Sequence, residues 1–172
     1  MRRVLDALYL ACGLLGAVFL ALIAVVILYQ VFGRSFGYGI PGVDDLAALF
    51  LVATAFLSLA YTFRAGAHIR VNLLLHHLPP RMQRWAELWC LAFGAGAVGF
   101  LTYYTAEMAW ESYLFGDRAI GQLPILMWIP QGAAAFGLLA FTLSFVDDLI
   151  AVLRGEQPSY DKATELDLQT HG

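Results

Sequence analysis

Formal charges fall away four times along this chain, leaving uncharged runs at Ala7 to Gly33, Leu46 to Phe63, Leu88 to Ala106 and Ala119 to Val146. Even the shortest of them would cover about 27 Å as an α-helix at 1.5 Å per residue, close to the hydrocarbon thickness of a bilayer. Transmembrane strands would need only about half that length. The pattern therefore predicts an all-α polytopic membrane protein with four transmembrane helices. They are expected at about Leu8 to Phe32, Asp44 to Phe63, Trp85 to Trp110 and Ile125 to Ile150.

Polar and small positions within the runs sharpen this picture. On a helical wheel, Ala47, Ala48, Thr54, Ala55, Ser58, Tyr61 and Thr62 share one side of span 2, and Leu49, Phe50, Ala53, Phe56, Leu57, Ala60 and Phe63 the other. The first side is expected to meet protein, with Thr54 and Ser58 in its middle, and the second to meet lipid. Span 1 carries Gly13, Gly16, Ala17 and Ala21, and span 3 carries Gly94 to Gly99, small residues of the kind that let helices approach closely. Gln30 near the end of span 1 is expected to reach headgroups. Trp85, Trp89 and Trp110 suit the membrane interfaces. Pro124 and Pro130 predict a kinked start to span 4.

Between spans 2 and 3, residues His68 to Leu78 alternate apolar side chains with Arg70, Asn72, His76 and His77 before Pro79 and Pro80 stop the segment. Such a stretch is too short to span and predicts a short interfacial helix. The domain reading is one four-helix unit over residues 1–153 and a flexible polar tail over 154–172.

Composition agrees: 60% of the 172 residues are hydrophobic and 13% charged, with a mean hydropathy of +0.71. The positions of the basic residues add an orientation. Eight of the ten Lys and Arg residues lie in the amino terminus, the span 2–3 loop and the tail, against Arg34 and Arg118 in the other two loops. The positive-inside rule then puts both termini in the cytoplasm. The uncharged run of span 1 is too long for the core of a signal peptide and predicts a retained span. Cys12 and Cys90 read as buried small hydrophobes.

The chemistry that would make such a chain a catalyst is missing from the sequence. None of the four runs holds an ionisable carboxylate, His, Lys or Arg at mid-depth, where intramembrane enzymes and ion carriers place them. The four His residues fall in the loops and tail, so a haem inside the bundle has no axial pair, and no HExxH, CxxC or phosphate loop occurs. Charges instead gather at the mouths. Asp44 and Asp45 open span 2, where carboxylates complement the helix dipole or pair with Arg34 or a second protein. Glu107 and Glu111 lie one turn apart at the end of span 3. These features suit a scaffold that braces a larger membrane partner.

The segment YQVFGRSFGYGIPGVDDLAALFLVATAFLSLAYTFRAGAHIRVNLLLHHLP, Tyr29 to Pro79, resembles the small membrane subunit of the tripartite ATP-independent periplasmic (TRAP) transporters, the DctQ type. The likeness rests on Arg34 after span 1, the acidic pair Asp44 and Asp45, and the post-span run His68, Ile69, Arg70, Val71, Asn72. LPILMWIPQG, Leu123 to Gly132, is similar to the family's Pro-rich lead into span 4. The likeness covers about residues 5–153. This chain has Asp where the family's acidic pair is usually Glu-rich, and Asn72 where Asp is frequent.

The resemblance implies a non-catalytic subunit of the bacterial inner membrane. Its partners would be a large DctM-type permease subunit, a DctP-type periplasmic binding protein and membrane lipids, with no nucleic acid. It implies no cofactor in this chain and a coupling ion, typically sodium, in the large subunit, whose elevator motion drives uptake of organic acids such as C4-dicarboxylates, keto acids or sugar acids. Arg34, Asp44 and Asp45, with Glu107 and Glu111, would shape the outer surface, while His68, Arg70 and Asn72 would fix the cytoplasmic end of span 2. The alternative reading is a stand-alone four-helix membrane adaptor or assembly factor.

Overall fold

The computed structural model describes residues 2–38, 41–64 and 80–154. Four helices fill nearly all of these: α1 (Arg2–Ser35), α2 (Val43–Arg64), α3 (Pro80–Phe115) and α4 (Trp128–Leu153). Each contains a stretch long and apolar enough to cross a membrane, so the chain is a multi-pass membrane protein. The segment expected to form an interfacial helix and the tail from residue 155 lie outside the described residues.

The helices outrun the uncharged windows. At 34 and 36 residues, α1 and α3 are about 51 and 54 Å long, against about 30 Å of hydrocarbon. Their ends therefore reach past the apolar layer or the helices tilt through it. In contrast, α4 begins later than expected, at Trp128. Pro124 stays outside it, and Pro130 falls in its first turn, where a backbone N–H has no intrahelical acceptor to lose. No kink is needed there.

The helices lie side by side in the order α1, α2, α4, α3, with α1 touching α4 only slightly. Of the four, α4 is the most buried and α3 the least. Side chains of like polarity to lipid gain little by leaving it, so close approach of small residues must supply the contact energy. The contacts follow that rule. On α1, Gly13 faces the Tyr61 ring of α2, and Gly16 lies against Ser58 and the Thr54 carbonyl, whereas Ala17 and Ala21 are exposed. On α4, Gly137 meets the α2 backbone at Phe56 and Leu57. On α3, Gly94 accepts the edge of Phe145 and Gly99 meets Thr142, while Gly96 is open.

The core runs through Ala53, Leu57, Ala60 and Phe63 of α2 to Ala140, Phe141 and Val152 of α4, with Tyr9 and Cys12 of α1 and Leu91 of α3. Phe63 packs on Phe145 with the rings tilted at 39° and their centroids 4.3 Å apart, and meets Phe141 edge-on at 5.6 Å. This corrects the wheel reading of α2. The side expected to face lipid is the side that packs on α4, because α2 is an inner member of the row and needs two protein faces. Cys90 is exposed, not buried, since α3 ends the row and packs on one flank only.

Midway along the span a polar contact joins α3 to α4: the Thr102 and Thr142 hydroxyls lie 2.9 Å apart, so one donates to the other while the second gives its proton to a carbonyl of its own helix, Val98 for Thr102 or Leu138 for Thr142. Thr142→Val is expected to lower stability by only about 0.6 kcal/mol, the average for such interhelical bonds in a membrane. Thermal unfolding in detergent, compared with Thr102→Val and the double variant, measures it. A drop several times larger would assign the hydroxyl pair a weight this picture does not give it.

Candidate functional site at the acidic end of the bundle

Charged and polar side chains converge at the end of the bundle where α1 and α3 finish and α2 and α4 begin. The α1–α2 turn enters α2 through Gly42, whose φ of +83° lies in the left-handed region that suits glycine. A side chain there would also collide with Leu123. Val43 is buried immediately after it, and the next two residues are Asp44 and Asp45.

The two carboxylates have different tasks. Asp44 is exposed and accepts a hydrogen bond from Gln30 Nε2 of α1 at 3.1 Å. Asp45 turns the other way, and its Oδ2 accepts from the backbone N–H of Leu123 at 2.9 Å. Gly121 sits against that carboxylate, so close that a Cβ would come within 2.6 Å of Oδ2. The tie is returned from the other side, since the backbone N–H of Gly42 donates to Gln122 Oε1 at 2.7 Å. Two reciprocal bonds thus strap the α3–α4 loop onto the mouth of α2. In both, a side-chain acceptor satisfies a backbone donor that no helix supplies with a partner.

The loop itself, residues 116–127, is folded. Gly116 turns it at φ +65°, Met127 N–H donates to Asp117 O at 3.0 Å, and Ala119 N–H donates to Ile125 O at 2.8 Å. An antiparallel bridge pairs Arg118 with Leu126. Beneath it, the Gln131 amide, oriented with its nitrogen toward α3, donates to the buried Ser112 hydroxyl at 2.8 Å. At the tip Ile120 is fully exposed.

The structure thus brings Asp44 and Asp45 together with three residues that sequence reasoning had not grouped with them, Gly42, Gly121 and Gln122, and gives Gln30 a carboxylate instead of a headgroup. It leaves Arg34 exposed at the end of α1, with no ion pair among the described residues, so neither aspartate uses it. Glu107 and Glu111 are exposed near the end of α3 and do not join the strap. Thr54 and Ser58 line the α1–α2 contact instead: Ser58 Oγ donates to the Thr54 carbonyl at 2.8 Å, opposite Gly16. His68, Arg70 and Asn72 lie outside the described residues.

Two further features went unread in the sequence. Asp148, near the end of α4, is 1% exposed, as are Ser144 one turn before it and Tyr9 of α1. The four-residue spacing Ser144, Asp148, Val152 was the available signal. At the acidic end, a cleft of about 350 Å³ opens among Trp110, Tyr113 and Trp128 over Ala109 and Gly132. Its lining is almost wholly apolar, so it offers no converging groups for chemistry. Among the described residues no cluster of His, Cys, Asp or Glu is placed to hold a metal ion.

What the site can do is hold surfaces together. It combines fixed helices, strapped loops and exposed charges, and among the described residues it brings no nucleophile together with a base. The sequence finds no match among curated proteins. The family described as tripartite ATP-independent periplasmic transporters, DctQ component, matches residues 23–155, which takes in the end of α1, the acidic pair, the strapped loop and all of α4. With that match covering well over half of its length, the chain belongs to the DctQ component family of these transporters.

Proposed function

We propose that this chain is the fixed small permease subunit against which a large, DctM-type permease subunit moves. In this reading the soluble DctP-type component delivers an organic acid, and the coupling ion, sodium, binds in the large subunit. The observation that carries the proposal is the open face of an inner helix. Although α2 packs on α1 and α4, it keeps Asp44, Ala48, Leu51, Ala55 and Thr62 exposed along its length. Residues 48, 55 and 62 recur every seven positions on one stripe of small side chains, the surface a second helix can approach closely. The core behind it is apolar at mid-depth, which supports bracing over conduction.

Orientation follows from the basic residues. Eight against two favours the amino and carboxyl ends in the cytoplasm of a bacterial inner membrane, with the acidic end outside.

Ala55→Trp fills the stripe without touching the α1 or α4 contacts. It is expected to abolish copurification of the large subunit from membranes containing both chains, while the small subunit alone keeps its elution volume and melting temperature. Charge reversal at Asp44 should weaken the same copurification less. If Ala55→Trp retains the large subunit at wild-type ratio, this face is not the brace. If the wild-type chain purifies alone and folded, the adaptor reading replaces the transporter subunit.

A further inference from the structure

We propose that Ile120, held at the tip of the strapped 116–127 loop, is the anchor by which the outer surface docks a water-soluble protein with a basic rim around an apolar recess. The inference rests on the orientation and assembly just proposed and identifies the surface its soluble component would use.

Three observations carry it. An isoleucine whose side chain is left wholly uncovered by the protein stands at the tip of a loop that is otherwise tied down at Leu123, Gln122, Ala119 and Met127. A rigid loop loses little conformational freedom when its tip is buried, so nearly all the burial energy of that side chain is available to a partner. Flanking it are the exposed side chains of Asp117 and Arg118, a polar margin of the sort that surrounds a binding anchor.

Charge then selects the occupant. The described residues at this end include five carboxylates, Asp44, Asp45, Glu107, Glu111 and Asp117, against two guanidiniums, Arg34 and Arg118. A net acidic surface attracts a basic protein face and speeds its encounter. It repels anionic phospholipid headgroups, which argues against Ile120 dipping into the bilayer.

The test uses the complex of small and large subunits in nanodiscs and the purified soluble component of the same system as the probe, with binding followed by biolayer interferometry. Ile120→Asp is expected to weaken binding by roughly ten- to a hundredfold, the ratio that burying such a side chain is worth. Ile120→Leu should bind as the wild type, and raising salt should weaken every variant's binding further. Wild-type affinity in Ile120→Asp overturns the proposal. So does a blue-shifted difference emission, Ile120→Trp minus wild type, in vesicles of phosphatidylethanolamine and phosphatidylglycerol without the soluble component, because the native tryptophans cancel and the remainder places the side chain in lipid. Both readouts are taken on preparations in which the large subunit is present, so a failure here is distinct from a failure of the assembly itself.

Discussion

Gly137→Leu is expected to prevent α4 from seating on α2 and so to remove most of the folded protein. Gly137 faces the α2 backbone itself. A Cβ there would press on the Phe56 carbonyl group, whose carbon lies at 2.5 Å, and on Leu57 N at 2.9 Å. Backbone atoms cannot rotate away as a flexible side chain would, so the two helices must separate. Separation at this crossing also loosens the aromatic cluster of Phe63, Phe141 and Phe145, which closes the same interface. Overpacking a core costs about 1 to 3 kcal/mol even where neighbours can shift. Alanine at Gly137 is expected within that range, and leucine beyond it. Fluorescence-detected size exclusion and thermal unfolding in detergent supply the measurement. A leucine variant with the wild-type melting temperature would show that α2 and α4 do not cross at Gly137.

Asp45→Ala is the second large effect, and it is local. The substitution removes the acceptor for Leu123 N–H and leaves a space beside Gly121. Bonds to charged groups contribute about 1.5 to 3 kcal/mol when buried, and Asp45 is only partly buried, so about 1 to 2 kcal/mol is the appropriate expectation. That loss should speed hydrogen exchange at Ala119 to Met127 by roughly five- to thirtyfold, at about 1.4 kcal/mol per tenfold. The helix interiors should be unchanged. Asp45→Asn keeps an acceptor oxygen without the charge and is expected to fall between. The control is Asp44→Ala, which loses the Gln30 bond and should leave the loop's exchange as it was. Equal exchange in the Asp44 and Asp45 variants would mean that the strap is not held by Asp45. Loosening the strap also removes the rigidity that makes Ile120 a useful anchor, so Asp45→Ala should weaken docking of the soluble component without altering the apolar tip.

The acidic pair shows how a correct placement, in the first turn of α2, can leave a residue's purpose open. Two carboxylates opening a helix read as dipole complements or as one half of an ion pair, and Arg34 was the nearest cation. Neither reading identifies Leu123, because that partner lies 78 residues away and offers a backbone N–H, a group every residue but proline carries. Gly42 and Gly121 stand in the sequence as ordinary loop glycines. Only the fold shows that Gly121 makes room for the carboxylate and that Gly42 both turns and donates.

The sequence alone determined the number of spans, the helical class and the crowding of charge at the span ends. Those properties answer to the bilayer segment by segment: each stretch within hydrocarbon must satisfy its own backbone and shed its own charges, whatever its neighbours do. Tertiary structure alone decided that the helices stand in the order α1, α2, α4, α3 and that Ala53, Leu57, Ala60 and Phe63 turn inward. The reason is that a neighbouring helix and a lipid tail are equally apolar, so polarity cannot tell a packed face from an exposed one. That distinction rests on shape, on where a glycine of one helix meets the backbone or ring of another.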